Sequence, residues 1–292
     1  KSYGGLEPRL NLRYLLGEAA SLKASVAKTY QFLHLVSNNG STLPTDVWSP
    51  SSYFVQPQMA WQYSLGYFQN FLQNKLETSV EVYYKDMHHL VEYREGYTPS
   101  SLRDMDYDFV FGKGYAYGAE FFLNKTKGRW TGWLAYTLAW TYRNFKDLNL
   151  GQRFLAKYDQ RHNISFTSTY EVNKKWTASM VWVYGSGNRI SLPSSLYTID
   201  NTLLQNFDQL NNYALPAYHR LDIAAIYTPH PESKRKWKGS WTFSIYNVYS
   251  RQNPYFVYLD MNGGLSSGIE LKVKQVSIFP ILPSITYNFK FN

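Results

Sequence analysis

Cysteine is missing from all 292 residues, so neither a disulfide framework nor a thiolate metal site can form. No run of 18 apolar residues occurs, which excludes a membrane-spanning helix. Charge is scarce: 17% of residues are Asp, Glu, Lys or Arg, against about a quarter in an ordinary soluble domain. The excess of nine positive charges is not gathered into one stripe, which argues against a nucleic-acid partner. What the chain has instead is aromatic, with 27 Tyr, 17 Phe and 9 Trp. Tyr and Trp join an apolar body to a polar tip, which suits the boundary between water and hydrocarbon. A β-barrel escapes the helix test, because its apolar and polar residues alternate and hydropathy averages away.

Alternation is the dominant pattern. In RWTGWLAYTLAWTYRNF, Trp130, Leu134, Tyr136, Leu138, Trp140 and Tyr142 share one parity, and Thr131, Ala135, Thr137, Ala139, Thr141 and Arg143 the other. An aliphatic middle with aromatic ends is what a hydrocarbon slab between two headgroup layers selects. The closing ITYNFKFN repeats the rhythm with Ile285, Tyr287, Phe289 and Phe291. The same reading predicts about eleven strands, near 8–16, 20–30, 59–69, 76–88, 112–124, 129–145, 156–171, 174–190, 216–228, 238–249 and 272–291. Connections alternate between short turns such as GEA and EVNKK and long loops such as 31–58 and 191–215. That asymmetry predicts an all-β, antiparallel transmembrane barrel, with turns on the periplasmic side and loops outside. Eleven is odd, so either PYFVYL at 254–259 is a twelfth strand or the chain is part of a larger barrel. No domain boundary or linker interrupts residues 1–292.

Charges on the polar parity are the candidates for the barrel interior: Arg13, Glu77, Glu81, Arg143, Arg161, Arg220 and Asp222, together with Lys23 and Lys85. Unpaired burial would be costly, so they must meet water, one another or other polar protein groups. Loop aromatics Trp48, Tyr53, Tyr97, Tyr107, Tyr197 and Tyr213 are the candidates for holding a ligand. YDQRHN places Asp159 and Arg161 on one face of its predicted strand and His162 on the other, which favours a structural ion pair over catalysis. His88 and His89 are adjacent, so a strand sends them to opposite faces, which does not make a metal pair. GKGYAYG opens a strand and not a helix, so Gly114 and Gly118 predict a bend or, with the plug domain that the resemblance below implies, a close contact, not a phosphate loop. No catalytic residue, metal site or cofactor is predicted. Basic turns, with Lys125, Lys127, Arg129, Lys174, Lys175 and Lys238 among their residues, suit phospholipid headgroups of the inner leaflet, though a solvated turn needs no partner at all.

Many ordered segments, among them SLKASVAKTYQFLHLVS, QPQMAWQYSLGYF, KYDQRHNIS, PAYHRLDIAAIY and WTFSIYNVYSRQNPYFVY, resemble the C-terminal barrel of TonB-dependent receptors of the Bacteroidetes type. That group includes the SusC-like and carboxypeptidase-regulatory-domain-like branches. The resemblance implies a 22-stranded barrel of which eleven strands are the second half. It also implies an N-terminal plug, a nutrient bound outside, energy from TonB through that plug, and in SusC-like systems a SusD-like surface lipoprotein. The opening KSYGGLEPRL has neither an initiator Met nor a signal-peptide core, so a processed, truncated or partial chain is expected. Alternation alone also leaves open a passive porin, a barrel enzyme and a secreted glycan-binding β-sandwich.

Overall fold

The computed structural model describes residues 2–36, 46–94, 105–199, 202–232, 237–264 and 268–291. Alternation becomes eleven long strands: β1 Arg9–Leu15, β2 Ala20–Gln31, β3 Gln58–Phe71, β4 Leu76–Tyr93, β5 Phe109–Lys125, β6 Trp130–Phe145, β7 His162–Glu171, β8 Trp176–Gly185, β9 Tyr218–Tyr227, β10 Trp237–Tyr246 and β11 Leu282–Phe291. Each pairs antiparallel with the next, in one meander from β1 to β11. The fold is all-β, and this single wide sheet fits part of a barrel. β1 and β11 run the same way and do not pair with each other among the described residues.

The two parities sort onto two faces across the sheet. One rung reads Leu12, Ala24, Leu65, Val82, Ala119 and Leu138 from β1 to β6. The adjacent rung on the other face reads Arg13, Lys23, Gly66, Glu81, Glu120 and Thr137. Farther along, Leu134, Phe166, Trp182 and Leu221 continue the apolar face. Leu134 is 40% and Ile285 68% exposed, so these side chains do not fill a dry centre between stacked sheets. Water would not tolerate so broad an apolar face, whereas lipid requires it.

Aromatic rows mark both margins of that face. At the short-turn margin Trp176 packs on Tyr227 at 4.7 Å and Trp241 on Tyr287 at 4.8 Å. Towards the long loops Tyr115 stacks on Tyr142 and Tyr117 on Trp140, each at 5.2 Å. Trp130 and Trp140 of β6 are ten residues apart, about 33 Å along a strand and roughly 25 Å of height at a barrel's tilt. That is about the height of the apolar band of outer-membrane barrels. The turns themselves follow local chemistry. Asn173 Oδ1 accepts the backbone N–H groups of Lys175 and Trp176 at 2.9 and 3.0 Å, which closes the β7–β8 turn.

β4, with 18 residues, and β5, with 17, outrun the band and rise as a rim. Here β4 takes in one extra residue between Met87 and Leu90, a bulge with His89 at a φ of 55°. His88 bonds Asp86 and His89 bonds the Pro57 carbonyl, so the two imidazoles part as the sequence predicts. Gly118 provides close contact within the wall: an added Cβ would stand 2.5 Å from the Leu138 carbonyl and 2.9 Å from the Tyr83 hydroxyl.

Three predicted boundaries are corrected. The stretch predicted as 272–291 is two elements: Gly268–Val276 pairs with Phe256–Gly264 in a hairpin of its own, and only Leu282–Phe291 joins the wall. PYFVYL therefore belongs to that loop hairpin and is not a twelfth wall strand. β7 begins at His162, and the chain before it meets β6 mainly through Phe154–Leu155 and through side chains.

Candidate functional site: the loop layer and the polar face

Long connections gather at one end and lace together. Residues 32–57 contain the hairpin Leu33–Val36 with Val47–Pro50, and its Val36, with Val55, packs on Val91, Tyr93 and Phe109. Leu148 and Phe154 pack with Leu90, Val110 and Phe145, and Leu210 joins from another loop. Leu90 and Val91 point to opposite faces, so the rim of β4 is covered by loops on both sides. Polar bonds tie the same loops. Lys157 meets Asp46 at 2.8 Å, Tyr158 donates to the same carboxylate, and Ser52 donates to Asp106. Asn149 Oδ1 accepts the Leu210 amide at 3.0 Å, and Asn211 donates to the Leu155 carbonyl at 2.8 Å.

His34 lies within this layer, wholly buried, with Nε2 2.9 Å from the Ser51 hydroxyl and Nδ1 without a partner among the described residues. Burial lowers its pKa below the ordinary histidine value. Its neutral form therefore stabilises the hairpin fully above about pH 6.5, and that contribution is lost as pH falls towards the lowered folded value. Amide protection of residues 33–36 and 47–49, corrected for the intrinsic pH dependence of exchange, should fall as pH drops from 7.5 to 5, and His34→Gln should remove most of that pH dependence.

The predicted ligand aromatics separate into groups. Tyr53 meets Phe54 edge-on at 5.3 Å, and Phe54 lies 5.5 Å from Tyr107, so these three form one exposed cluster. Trp48 is exposed on the first hairpin. Tyr197 stands on the hairpin Ser195–Ile199 with Thr202–Asn206, and Tyr213 on the short pair Arg189–Ile190 with Tyr213–Ala214. Tyr97 lies outside the described residues.

On the polar face, Arg13 stands opposite Lys23, whose ammonium sits 3.8 Å over the Phe68 ring. Glu77 accepts from Asn124 at 3.0 Å. Glu81 stands directly across from Glu120, a carboxylate that parity counting along β5 would have found. Arg143 reaches Glu92 at 3.9 Å; the bulge hides Glu92 from a simple parity count. Arg220 pairs with Asp222 at 2.9 Å and donates to the Tyr218 and Tyr246 hydroxyls, while Asp222 also accepts the Asn247 amide.

Arg161 differs from its predicted place. It precedes β7, its guanidinium lies 4.5 Å over Trp140 of the apolar-face row, and it bonds Asp159 at 3.4 Å. The reason is that β6 is six residues longer than β7, 16 against 10, so its upper edge would keep bare backbone groups. Asp159 Oδ1 accepts the Thr141 amide at 2.8 Å, and Arg161 Nε donates to the Ala139 carbonyl at 2.9 Å. Side chains thus extend the sheet where no strand does. Among the described residues, no three His, Asp or Glu side chains form a metal-binding group.

A lipid-facing meander with aromatic margins, short turns at one end and a laced loop layer at the other is the wall of an outer-membrane-type β-barrel. A family model described as TonB dependent receptor-like, beta-barrel matches residues 1–248, and the chain belongs to that family. No curated protein matches the sequence. The solved pyoverdine outer membrane receptor FpvA from Pseudomonas aeruginosa PAO1 is similar, with a TM-score of 0.61 at 13% identity over 98% of this chain and 36% of its own. The ferric-catecholate import receptor Fiu from E. coli K12 gives 0.58 at 16% identity, over 96% of this chain and 34% of its own. The copper transporter OprC gives 0.58 at 16%, over 98% and 39%. At such identity the likeness is one of fold, and the chain spans 34–39% of the length of these three structures.

Proposed function

We propose that this wall is the C-terminal half of a 22-stranded outer-membrane receptor of a Gram-negative bacterium, of the Bacteroidetes SusC-like or carboxypeptidase-regulatory-domain-like type. It binds a scarce nutrient in the loop layer and passes it through a plugged barrel with energy from TonB. The observation that carries this reading is the laced layer: loops cross-bonded over the mouth present exposed aromatics on a fixed base, as a selective receptor needs and a bare pore does not. Arg13, Glu77, Glu81, Arg143, Arg220 and Asp222 then face the interior, where a plug supplies the opposing charges; Arg161 serves the wall. In a SusC-like system a SusD-like lipoprotein covers the same loops. The chain makes and breaks no bond in this scheme.

The test uses the full-length receptor with glycans, peptides, siderophores and cobalamin in turn. One class should be held, and Tyr53→Ala with Tyr107→Ala should weaken it at least tenfold, about 1.4 kcal/mol. Uptake by cells should fall to background when TonB is disabled. Uptake that proceeds equally without TonB overturns the reading in favour of a passive porin.

A further inference from the structure

The apolar face is not evenly filled. Across β7 to β11 the small residues Ser168, Ala178 and Ala225 floor a groove of about 640 Å³, walled by Met180, Phe243 and Ile285. Small residues sit in register there: Ala178 is opposite Ala225, which is opposite Phe243. The groove reaches Tyr170 at the short-turn margin, where chemistry changes abruptly. The Arg129 guanidinium lies 5.5 Å from the Tyr170 ring and is anchored by donation to the Glu171 and Val172 carbonyls. Lys175 precedes Trp176 in the aromatic row. On the same foot Lys174 pairs with Glu232 at 2.5 Å. Lys125 and Lys127 stand on the neighbouring turn.

We propose that groove and cations together form a specific site for one anionic phospholipid of the leaflet at the short-turn margin. One acyl chain lies over Ala178 and Ala225, and the headgroup phosphate meets Arg129 and Lys175. An anchored guanidinium gives up little freedom on binding and matches a phosphate geometrically. Bulk lipid covers a smooth wall without preference, whereas a groove of this size orders one chain beside a fixed charge. The proposal rests on the outer-membrane reading of the wall.

Native mass spectrometry of the full-length receptor, extracted in mild detergent and titrated with phosphatidylglycerol or phosphatidylethanolamine, tests it. Wild type should retain one phosphatidylglycerol in preference to phosphatidylethanolamine. Ala178→Phe with Ala225→Phe should reduce that retention about tenfold. Arg129→Gln with Lys175→Gln should reduce it about fivefold while leaving phosphatidylethanolamine unchanged. Equal retention in wild type and the charge variant, no preference in wild type, or capture of lipid A instead would each overturn the site. Heat-modifiable gel migration of wild type separates the two readings: if it is present and the lipid result fails, only the site falls, and if it is absent, the membrane wall falls with it. Should the groove-filling variant not assemble, the charge variant decides.

Discussion

Arginine at Leu134 is expected to prevent assembly of the barrel in the outer membrane, while arginine at Thr137, three residues on, is expected to be tolerated. Leu134 stands on the apolar face between the rows at Trp130 and Trp140, in register with Phe166 and Leu123. A charge there would meet hydrocarbon, at a cost of about 2–4 kcal/mol near the midplane. Thr137 points the other way and stands opposite Glu120, a partner for the new cation. Heat-modifiable migration of the two variants, expressed in the full-length receptor, reads the result directly. Equal assembly of Leu134→Arg and wild type would falsify the orientation of the sheet.

Replacing Asp159 by alanine should open the loop layer from its root. The carboxylate is 1% exposed and serves two partners, the Thr141 amide and Arg161. Its loss leaves a buried donor bare and a half-buried cation beside it unpaired, about 3–5 kcal/mol for a broken buried pair. Asp159→Asn keeps an acceptor and should cost less, on the order of 1–2 kcal/mol. Limited proteolysis within residues 146–161 should be fast in the alanine variant, intermediate in the asparagine variant and slow in wild type. On the proposed function, nutrient binding by the full-length receptor should drop in the same order. Identical cleavage of all three would remove Asp159 from this role.

Much of the wall was legible because a half-buried strand writes its two environments into alternate residues. Leu134 and Leu138 against Ala135 and Thr137 suffice to place β6, and the same rule sorted Arg13, Glu77, Glu81, Arg220 and Asp222 onto one face. Alternation is local, however, and does not say which strand is the neighbour. Among the described residues, Phe256–Gly264 and Gly268–Val276 pair only with each other, yet the second carries a wall-like rhythm that runs on towards Leu282. The rhythm of residues 156–161 fits a strand, although only Ala156 and Arg161 bond the neighbouring strand through their backbone and the side chains of Asp159 and Arg161 supply the rest. The lacing of the loops was invisible for a different reason. Asp46 and Lys157 lie 111 residues apart, and nothing in either neighbourhood announces the other. Tyr53 and Tyr107 meet through Phe54 in the same unannounced way.

The extra residue in β4 divides that strand between two regimes. Below it the chain is a partition, with an apolar surface on one side and a polar surface on the other. Above it, from Leu90 to Tyr93, protein lies against both surfaces, as in the middle strand of a soluble sandwich. The changeover is fixed by a count along the chain and not by depth of immersion. A thicker or thinner bilayer would slide along the partition and leave the sandwich as it is, so the mouth of the receptor keeps its shape independently of the membrane it stands in.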